Sequence, residues 1–420
     1  MTLPSFLKVA VLVDLPLTPL SGGHARGWAR LAQAAAKTEL PLDLTVYFSG
    51  KELTEELSPH VTQKHLNAVF STKNLKFLPY VPDNTDLAPY HPRLAQELQH
   101  FDIIHTTDAF FAFARTAEKV SRSHNIPLVT SFHTDTPPYA RVFTERTIRK
   151  IFGETFITRF LIETLGLPRR QEEKMNRRLR AHLRHCCHGM VTREKDKKLV
   201  EDICGPSTTS FMRTPIDRSI FGPHRRDRND LETRYNIPKD KIICLFVGRL
   251  DEGKNIYPLI GACEKLLQEG LPLHLIAAGE GPAAKDLKAR LGPHVTLAGF
   301  VQPQELGALY ASVDILTMPS KVEMRSLVAI EAMISGLPVL LAKEGGVAAH
   351  YGYNEALMPV EDGADKWATA LRTLIQDQNK RQKMGQAGLA YTNENTPDWE
   401  QFLKEDFLAI WQKIYEKAQS

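Results

Sequence analysis

The sequence predicts an α/β protein of two parallel-sheet, Rossmann-like domains, and three observations carry that expectation. Short apolar runs recur at Lys8–Asp14, Leu42–Phe48, Leu75–Leu78, Ile103–His105 and Leu128–Phe132, with helical stretches such as 92–99 and 109–124 between them. Runs of this kind, alternating with helices, are strands of a parallel sheet covered on both faces. The same alternation restarts at Ile242–Val247 and continues through Leu273–Ala278, Val295–Ala298, Ile315–Met318 and Val339–Ala342. Between the two series lies an arginine-rich stretch, His224–Arg228, and the 420 residues are enough for two domains of ordinary size. The expected division is residues 1–218, residues 219–394 and a closing helical segment, residues 395–420.

The first half opens with the strand KVAVLVD, followed by Ser21-Gly22-Gly23 and a helix over about residues 25–37. Strand, glycine loop and helix are the start of a Rossmann-like half, although G-x-G-x-x-G is absent. Gly22 and Gly23 serve either as a tight turn or as a place where backbone approaches a ligand. Asp102-Ile-Ile-His-Thr places His105 at a strand end, where a structural role is expected. Leu128–Thr136 reads LVTSFHTDT, so His133 follows a buried strand, where sheets of this class place their sites.

Residues 141–185 hold ten Arg, two Lys and five Glu, a local charge of +7 in a protein whose total is +4. Phe143, Phe152, Phe156 and Phe160 interleave with the charges. Two charged helices packed on the first domain would give this composition. So would a surface for anionic lipid or an acidic acceptor, in which Arg177, Arg178 and Arg180 would take part. The neighbouring His182, His185, Cys186, Cys187 and His188 lack the spaced ligand pairs of a zinc site.

In the second half the strand Ile242–Val247 runs into Gly248-Arg249-Leu250-Asp251-Glu252-Gly253-Lys254-Asn255. Two cations, Arg249 and Lys254, on a loop after a buried strand suit an anionic ligand. The stretch PSKVEMRSLVAIEAMISGLPVLLA, residues 319–342, carries Glu323 and Glu331 eight positions apart. Ser326 is placed to cap a helix over about residues 327–335, and Gly336 with Pro338 stops it. That helix is apolar nearly all round, hence buried, so Glu331 sits inside a buried helix and needs partners. The free N–H groups near Ser326 and Leu327 form a site for an anion. One salt-bridged glutamate in a core helix is the plainer alternative.

Glu323 and Glu331 with the intervening residues resemble the E-x7-E region of the retaining glycosyltransferases of family 4, which have two Rossmann-like domains in the GT-B fold. Gly248–Asn255 is similar to that family's G-R-[LF]-x-x-x-K-[GN] loop, and Phe211–Pro223 to its interdomain segment. Ser131–Asp135 resembles the S-[YF]-H-T-[DH] motif of its lipid-sugar transferases, such as sulfolipid and glucosyl-diacylglycerol synthases. Met324-Arg325-Ser326 departs from the family, which has glycine there, and Pro215 replaces another glycine.

The resemblance implies a hexose moved from a nucleotide diphosphate sugar to an acceptor hydroxyl, with a membrane lipid as the candidate acceptor. It also implies roles for particular residues. Glu323 and His133 would contact the donor sugar, Glu331 the ribose, and Arg249 and Lys254 the diphosphate. Gly22 and Gly23 would lie near the phosphates, Val301 beside the base, and Ser326 and Leu327 at the helix-end donors. No cofactor beyond the donor is implied, and no D-x-D pair suggests a metal. The closing helix from about Trp399 to Glu416 would return to the first domain. A sugar-nucleotide epimerase and a catalytically inactive glycan-binding relative are the alternatives.

Bulk composition bounds the partners. A net charge of +4 does not argue for nucleic acid, and five scattered cysteines suit a reducing compartment. No signal peptide is evident, and no apolar run reaches the roughly 18 residues of a spanning helix. A cytoplasmic protein is expected, with the inner membrane face as its candidate peripheral location. The sequence leaves the oligomeric state open.

Overall fold

A computed structural model describes residues 5–18, 21, 23–71, 86–321, 326–344, 347 and 355–419. The chain divides into two compact units: residues 1–213 with 399–420, and residues 214–398.

In unit 1 the strands are β1 (Leu7–Pro16), β2 (Leu42–Ser49), β3 (Leu53–Ser58), β4 (Val61–Leu66), β5 (Ile103–Thr106), β6 (Leu128–Ser131), β7 (His188–Val191) and β8 (Thr209–Phe211). Among the described residues their order is β3-β4-β2-β1-β5-β6-β7-β8. All pairs are parallel except β3 with β4. The β3–β4 hairpin was not foreseen, because LTEELS and VTQKHL are too polar to read as core strands. Such charge is how an edge strand avoids pairing with another chain. The run Leu75–Leu78 lies outside the described residues.

The helices of unit 1 are α1 (Gly23–Ala36), α2 (Pro92–Leu98), α3 (Ala112–His124), α4 (Thr136–Phe152), α5 (Phe156–Arg159), α6 (Leu167–Leu183) and α7 (Glu194–Cys204). The terminal segment, Trp399–Phe402, a π turn Leu403–Leu408 and Ala409–Gln419, completes this unit. Its Phe402, Leu403, Phe407 and Trp411 share one apolar cluster with Val9 and Val11 of β1 and Trp28 of α1. The buried Asp406 accepts bonds from the Arg213 backbone N–H (2.8 Å) and guanidinium (2.9 Å), which fixes the segment to the end of the first stretch.

Unit 2 contains α8 (Arg228–Tyr235), β9 (Ile242–Val247), α9 (Ile256–Gln268), β10 (Leu273–Ala278), α10 (Ala284–Leu291), β11 (Val295–Gly299), α11 (Pro303–Ser312) and β12 (Ile315–Met318). It continues with α12 (Leu327–Ile334), β13 (Val339–Ala342), β14 (Leu357–Val360), α13 (Ala364–Gln376) and α14 (Gln378–Asn395). Among the described residues the order is β11-β10-β9-β12-β13-β14, all parallel. Chain order reverses between β9 and β12 here, and between β1 and β5 in unit 1. Open α/β sheets take ligands outside the strand carboxyl ends at such a switch point.

Candidate active site

In unit 2 the loops at the switch point are those after β9 and β12. The first carries Arg249 and Lys254 and is gripped by glycines of the loop after β10. Gly279 has φ +148, and a Cβ there would meet the Gly248 carbonyl oxygen at 1.9 Å. Gly281 has φ +154, and its Cβ would meet the Leu250 oxygen at 2.4 Å. Leu250 N–H donates to the Glu280 carbonyl and Ala283 N–H to the Leu250 carbonyl, both at 2.9 Å. This close approach holds the backbone under Arg249, whose side chain is 75% exposed and meets Asp251 at 3.2 Å. A surface pair of that kind contributes about 0–1 kcal/mol, so an anionic ligand can compete for the guanidinium.

Lys254 ends a single 3-10 turn whose N-cap, Asp251, accepts a bond from its backbone N–H. Asn255 follows in the left-handed conformation, φ 53. Its amide donates to the Pro319 carbonyl (3.1 Å) and the Asp362 carboxylate (3.0 Å), tying the cationic loop to the end of β12. This cross-brace was missed, because nothing in the sequence pairs an asparagine with a carbonyl so far along the chain.

Ser326 caps α12 as expected, its hydroxyl accepting from Ala329 N–H (3.4 Å), and Gly336 stands just past the end at φ +77. Leu327 opens that helix. Glu331 is 8% exposed, and Tyr310 donates its hydroxyl to the carboxylate at 3.1 Å. Tyr310 is fully buried, and burial and the Glu331 charge both push its phenol well up, so it remains a donor. Val301 is half-buried after β11 and packs on the unit 2 core. Glu323 and Gly22 lie outside the described residues. Gly23 is the first residue of α1.

His133 belongs to unit 1, on the loop after β6. Its Nε2 is 2.8 Å from Ser131 Oγ, which is 2.8 Å from His105 Nε2; His105 Nδ1 accepts from the Trp411 indole at 3.1 Å. An indole N–H only donates. His105 therefore carries its proton on Nε2 and donates to Ser131, and Ser131 donates to His133 Nε2. Trp28 N–H also points at that nitrogen, at 3.4 Å. The chain of donors leaves the His133 proton on Nδ1. Burial holds His105 down to about 3, so the ring is neutral. His105 is thus structural, as expected, and it also sets the tautomer of the candidate site histidine.

His24, in the first turn of α1, stacks on His133 with centroids 4.3 Å apart. Both line a cavity of about 1170 Å³ whose described walls all belong to unit 1. Its floor includes Asp14, near the carboxyl end of β1, and Asp108, after β5. Burial is the main cause pushing both carboxyls up, and the Asp108 charge pushes Asp14 further; Asp14 also accepts from Phe113 N–H and Asp108 from Phe110 N–H.

The candidate metal-like cluster disperses. His182 meets Thr106 and Glu118, Cys186 bonds a backbone carbonyl, and His188 meets Ser210. Arg178 is no surface cation: it forms a two-pronged pair with Glu118 at 2.6 and 3.1 Å and is 19% exposed.

A family model for "Glycosyl transferases group 1" matches residues 227–390, and one for "Glycosyltransferase Family 4" matches residues 21–192. The sulfoquinovosyl transferase SQD2 of Arabidopsis thaliana is 28% identical over 320 residues, covering 73% of this chain and 56% of that protein's length. A D-inositol 3-phosphate glycosyltransferase of Thermobifida fusca is 25% identical across 91% of this chain and 87% of its own. A sucrose-phosphate synthase from Thermosynechococcus elongatus superposes with a TM-score of 0.74 at 19% identity, over 98% of this chain and 100% of that one. Anabaena HepE in complex with UDP gives 0.66 at 16%, over 96% and 99%. Two Rossmann-like units, a group 1 match over one, a family 4 match over the other and whole-chain GT-B neighbours leave one conclusion: the chain belongs to the family 4, group 1 glycosyltransferases.

Proposed function

We propose that this protein is a retaining glycosyltransferase that moves a hexose from a nucleotide diphosphate sugar to an acceptor hydroxyl. The observation that carries this is the unit 2 switch point, where Arg249 and Lys254 stand on a glycine-clamped loop braced by Asn255 to the end of β12. Fixed cations aimed at a departing diphosphate stabilise the charge that develops as the glycosidic bond breaks. Glu331, buried and held by Tyr310, supplies an acceptor for ribose hydroxyls. His133 presents an Nδ1–H donor to a sugar hydroxyl, and Glu323 is assigned to the sugar by resemblance. The solved structures of HepE with UDP and with UDP-glucose support a nucleotide sugar as donor. The test is release of nucleoside diphosphate from a panel of hexose donors, with and without acceptor. Donor turnover supports transfer; a donor bound but never cleaved would leave a binding relative, and an epimerised donor an epimerase.

The finer part of the proposal is a lipid acceptor reached from the membrane face. Phe152, Phe156, Ile157 and Phe160, around the short α5, are 40%, 82%, 51% and 41% exposed, and the exposed Arg146 and Arg159 lie on the same segment. Apolar tips among cations are the composition of an interfacial anchor. Several other charges of the segment are already paired, Arg149 with Glu145 and Glu154, Arg169 with Glu173. The adhesive part is therefore the α5 tip rather than the whole +7 stretch. Co-sedimentation with anionic vesicles should be lost in Phe156→Asp/Ile157→Asp; binding unchanged in that variant removes the tip from the account.

A further inference from the structure

We propose that the unit 1 cavity seats one hydrocarbon chain of an amphiphilic acceptor and presents its uncharged hydroxyl head to Asp14 and His24. The proposal rests on the lipid-acceptor function above and names where and how that acceptor is held.

The cavity's size is the first ground. About 1170 Å³ exceeds the ~300–1,000 Å³ of ordinary small-molecule sites. Its walls are the second. Along α4 the lining includes Tyr139, Phe143 and Thr147, spaced four apart; along α6 it includes Leu167, Gln171, Met175 and Leu179, also four apart, together with Asn176 and Arg180. Residues at that spacing share one helix face. These two helices thus turn a mainly apolar stripe inward, with Gln171, Asn176 and Arg180 as its polar members. A face of this kind, left around open space, fits a ligand that is itself hydrocarbon.

The third ground is at the floor. Asp14 is 1% exposed, yet its Oδ1 has no hydrogen-bonding partner among the described residues. His24 Nε2 is likewise buried and unpartnered. Both residues line the cavity, and His24 stacks on His133. Leaving a buried polar atom unmatched is costly, and such atoms mark where a ligand supplies the partner. A hydroxyl can donate to one and accept from the other. A phosphate suits this floor poorly, because Asp14 and Asp108 would face it with like charge or with competing protons, and the lining cations Arg193 and Lys195 are already paired with Asp135 at 2.8 and 2.6 Å. The chemistry selects a glycerol-like or sugar-like head on an apolar tail.

The experiment measures binding of short-, medium- and long-chain monoacylglycerols, and of the matching lysophosphatidic acids, to the full chain. Each methylene that enters the cavity should raise affinity about fourfold until the space is filled. Ala140→Trp and Met175→Trp, which fill it from α4 and from α6, should return long-chain affinity to the short-chain value. Asp14→Asn should weaken the hydroxyl head about tenfold with the chain-length dependence intact. Nucleotide-sugar binding is followed on the same proteins. Lipid binding that is flat with chain length, unchanged in both Trp variants, or tighter for the phosphate head overturns the proposal. If a soluble acceptor is glycosylated while monoacylglycerol does not bind, the cavity assignment fails and the transferase function stands. Chain-dependent binding without any donor turnover supports the cavity and refutes the transferase function.

Discussion

Replacing Ser131 by alanine tests the proton arrangement at His133. Ser131 is 2% exposed and its hydroxyl joins two rings, each at 2.8 Å. Alanine leaves the His105 Nε2–H without an acceptor in a fully buried site, at a cost of about 1–3 kcal/mol, and removes a second bond of about 1 kcal/mol. The ring cannot escape by moving its proton, because Nδ1 already accepts from Trp411. A loss of about 2–4 kcal/mol in a unit of this size lowers the melting temperature by roughly 4–15 °C. His133 then loses its short bond at Nε2, where the Trp28 contact is the longer one at 3.4 Å. One hydrogen bond of about 1 kcal/mol is a factor of roughly five in tautomer ratio, so kcat/KM should fall by up to about fivefold. Imidazole nitrogen NMR reads the cause directly. The wild type should show His105 protonated on Nε2 and His133 on Nδ1, and the variant a mixed His133. A wild-type His133 protonated on Nε2 would refute the reasoning, as would a variant with unchanged melting temperature and activity.

Glu331→Ala should weaken nucleoside diphosphate binding by about 1.5–3 kcal/mol, read by titration calorimetry, and Tyr310→Phe by less, since it removes one of the bonds orienting that carboxylate. Gly279→Ala should abolish nucleotide binding and destabilise unit 2, because its Cβ would lie 1.9 Å from the Gly248 oxygen; a thermal melt shows both effects at once. Asp14→Asn should raise the melting temperature at neutral pH. Burial raises the Asp14 pKa above its ordinary 3.8, so the folded state holds the proton more tightly and the residue lowers stability progressively as pH rises from there through the folded value. Asparagine still accepts from Phe113 N–H and carries no charge, so the gain should vanish below about pH 4. A gain that persists there would contradict burial as the cause.

Much of this fold is legible because its strands are buried on both faces and read as unbroken apolar runs. The capped α12 with Ser326 before it and Gly336 after it follows from local chemistry alone. The strands that escape notice, β3, β4, β8 and β14, are short, polar or at an edge, where the buried-run signal is absent. The site divides in the same way. Arg249, Lys254 and Glu331 are visible because their motifs are contiguous. The relay that orients His133 is not, since Trp411 and His105 are 306 residues apart. Arg178 illustrates the opposite error: in a run of arginines it looks like a surface cation, and only the fold brings Glu118 to it. The +7 segment gave no sign of the inward stripe on α4 and α6, because its charges dominate any average over composition.

The most direct test of the central claim is turnover of the nucleotide diphosphate sugar by Arg249→Ala and Lys254→Ala, measured in the presence of a chelator. If these two cations neutralise the leaving diphosphate, the wild type turns over without added divalent metal and each variant loses roughly 10²-fold or more in kcat. Near-normal turnover in both variants, or activity in the wild type only when Mg²⁺ is supplied, would contradict it.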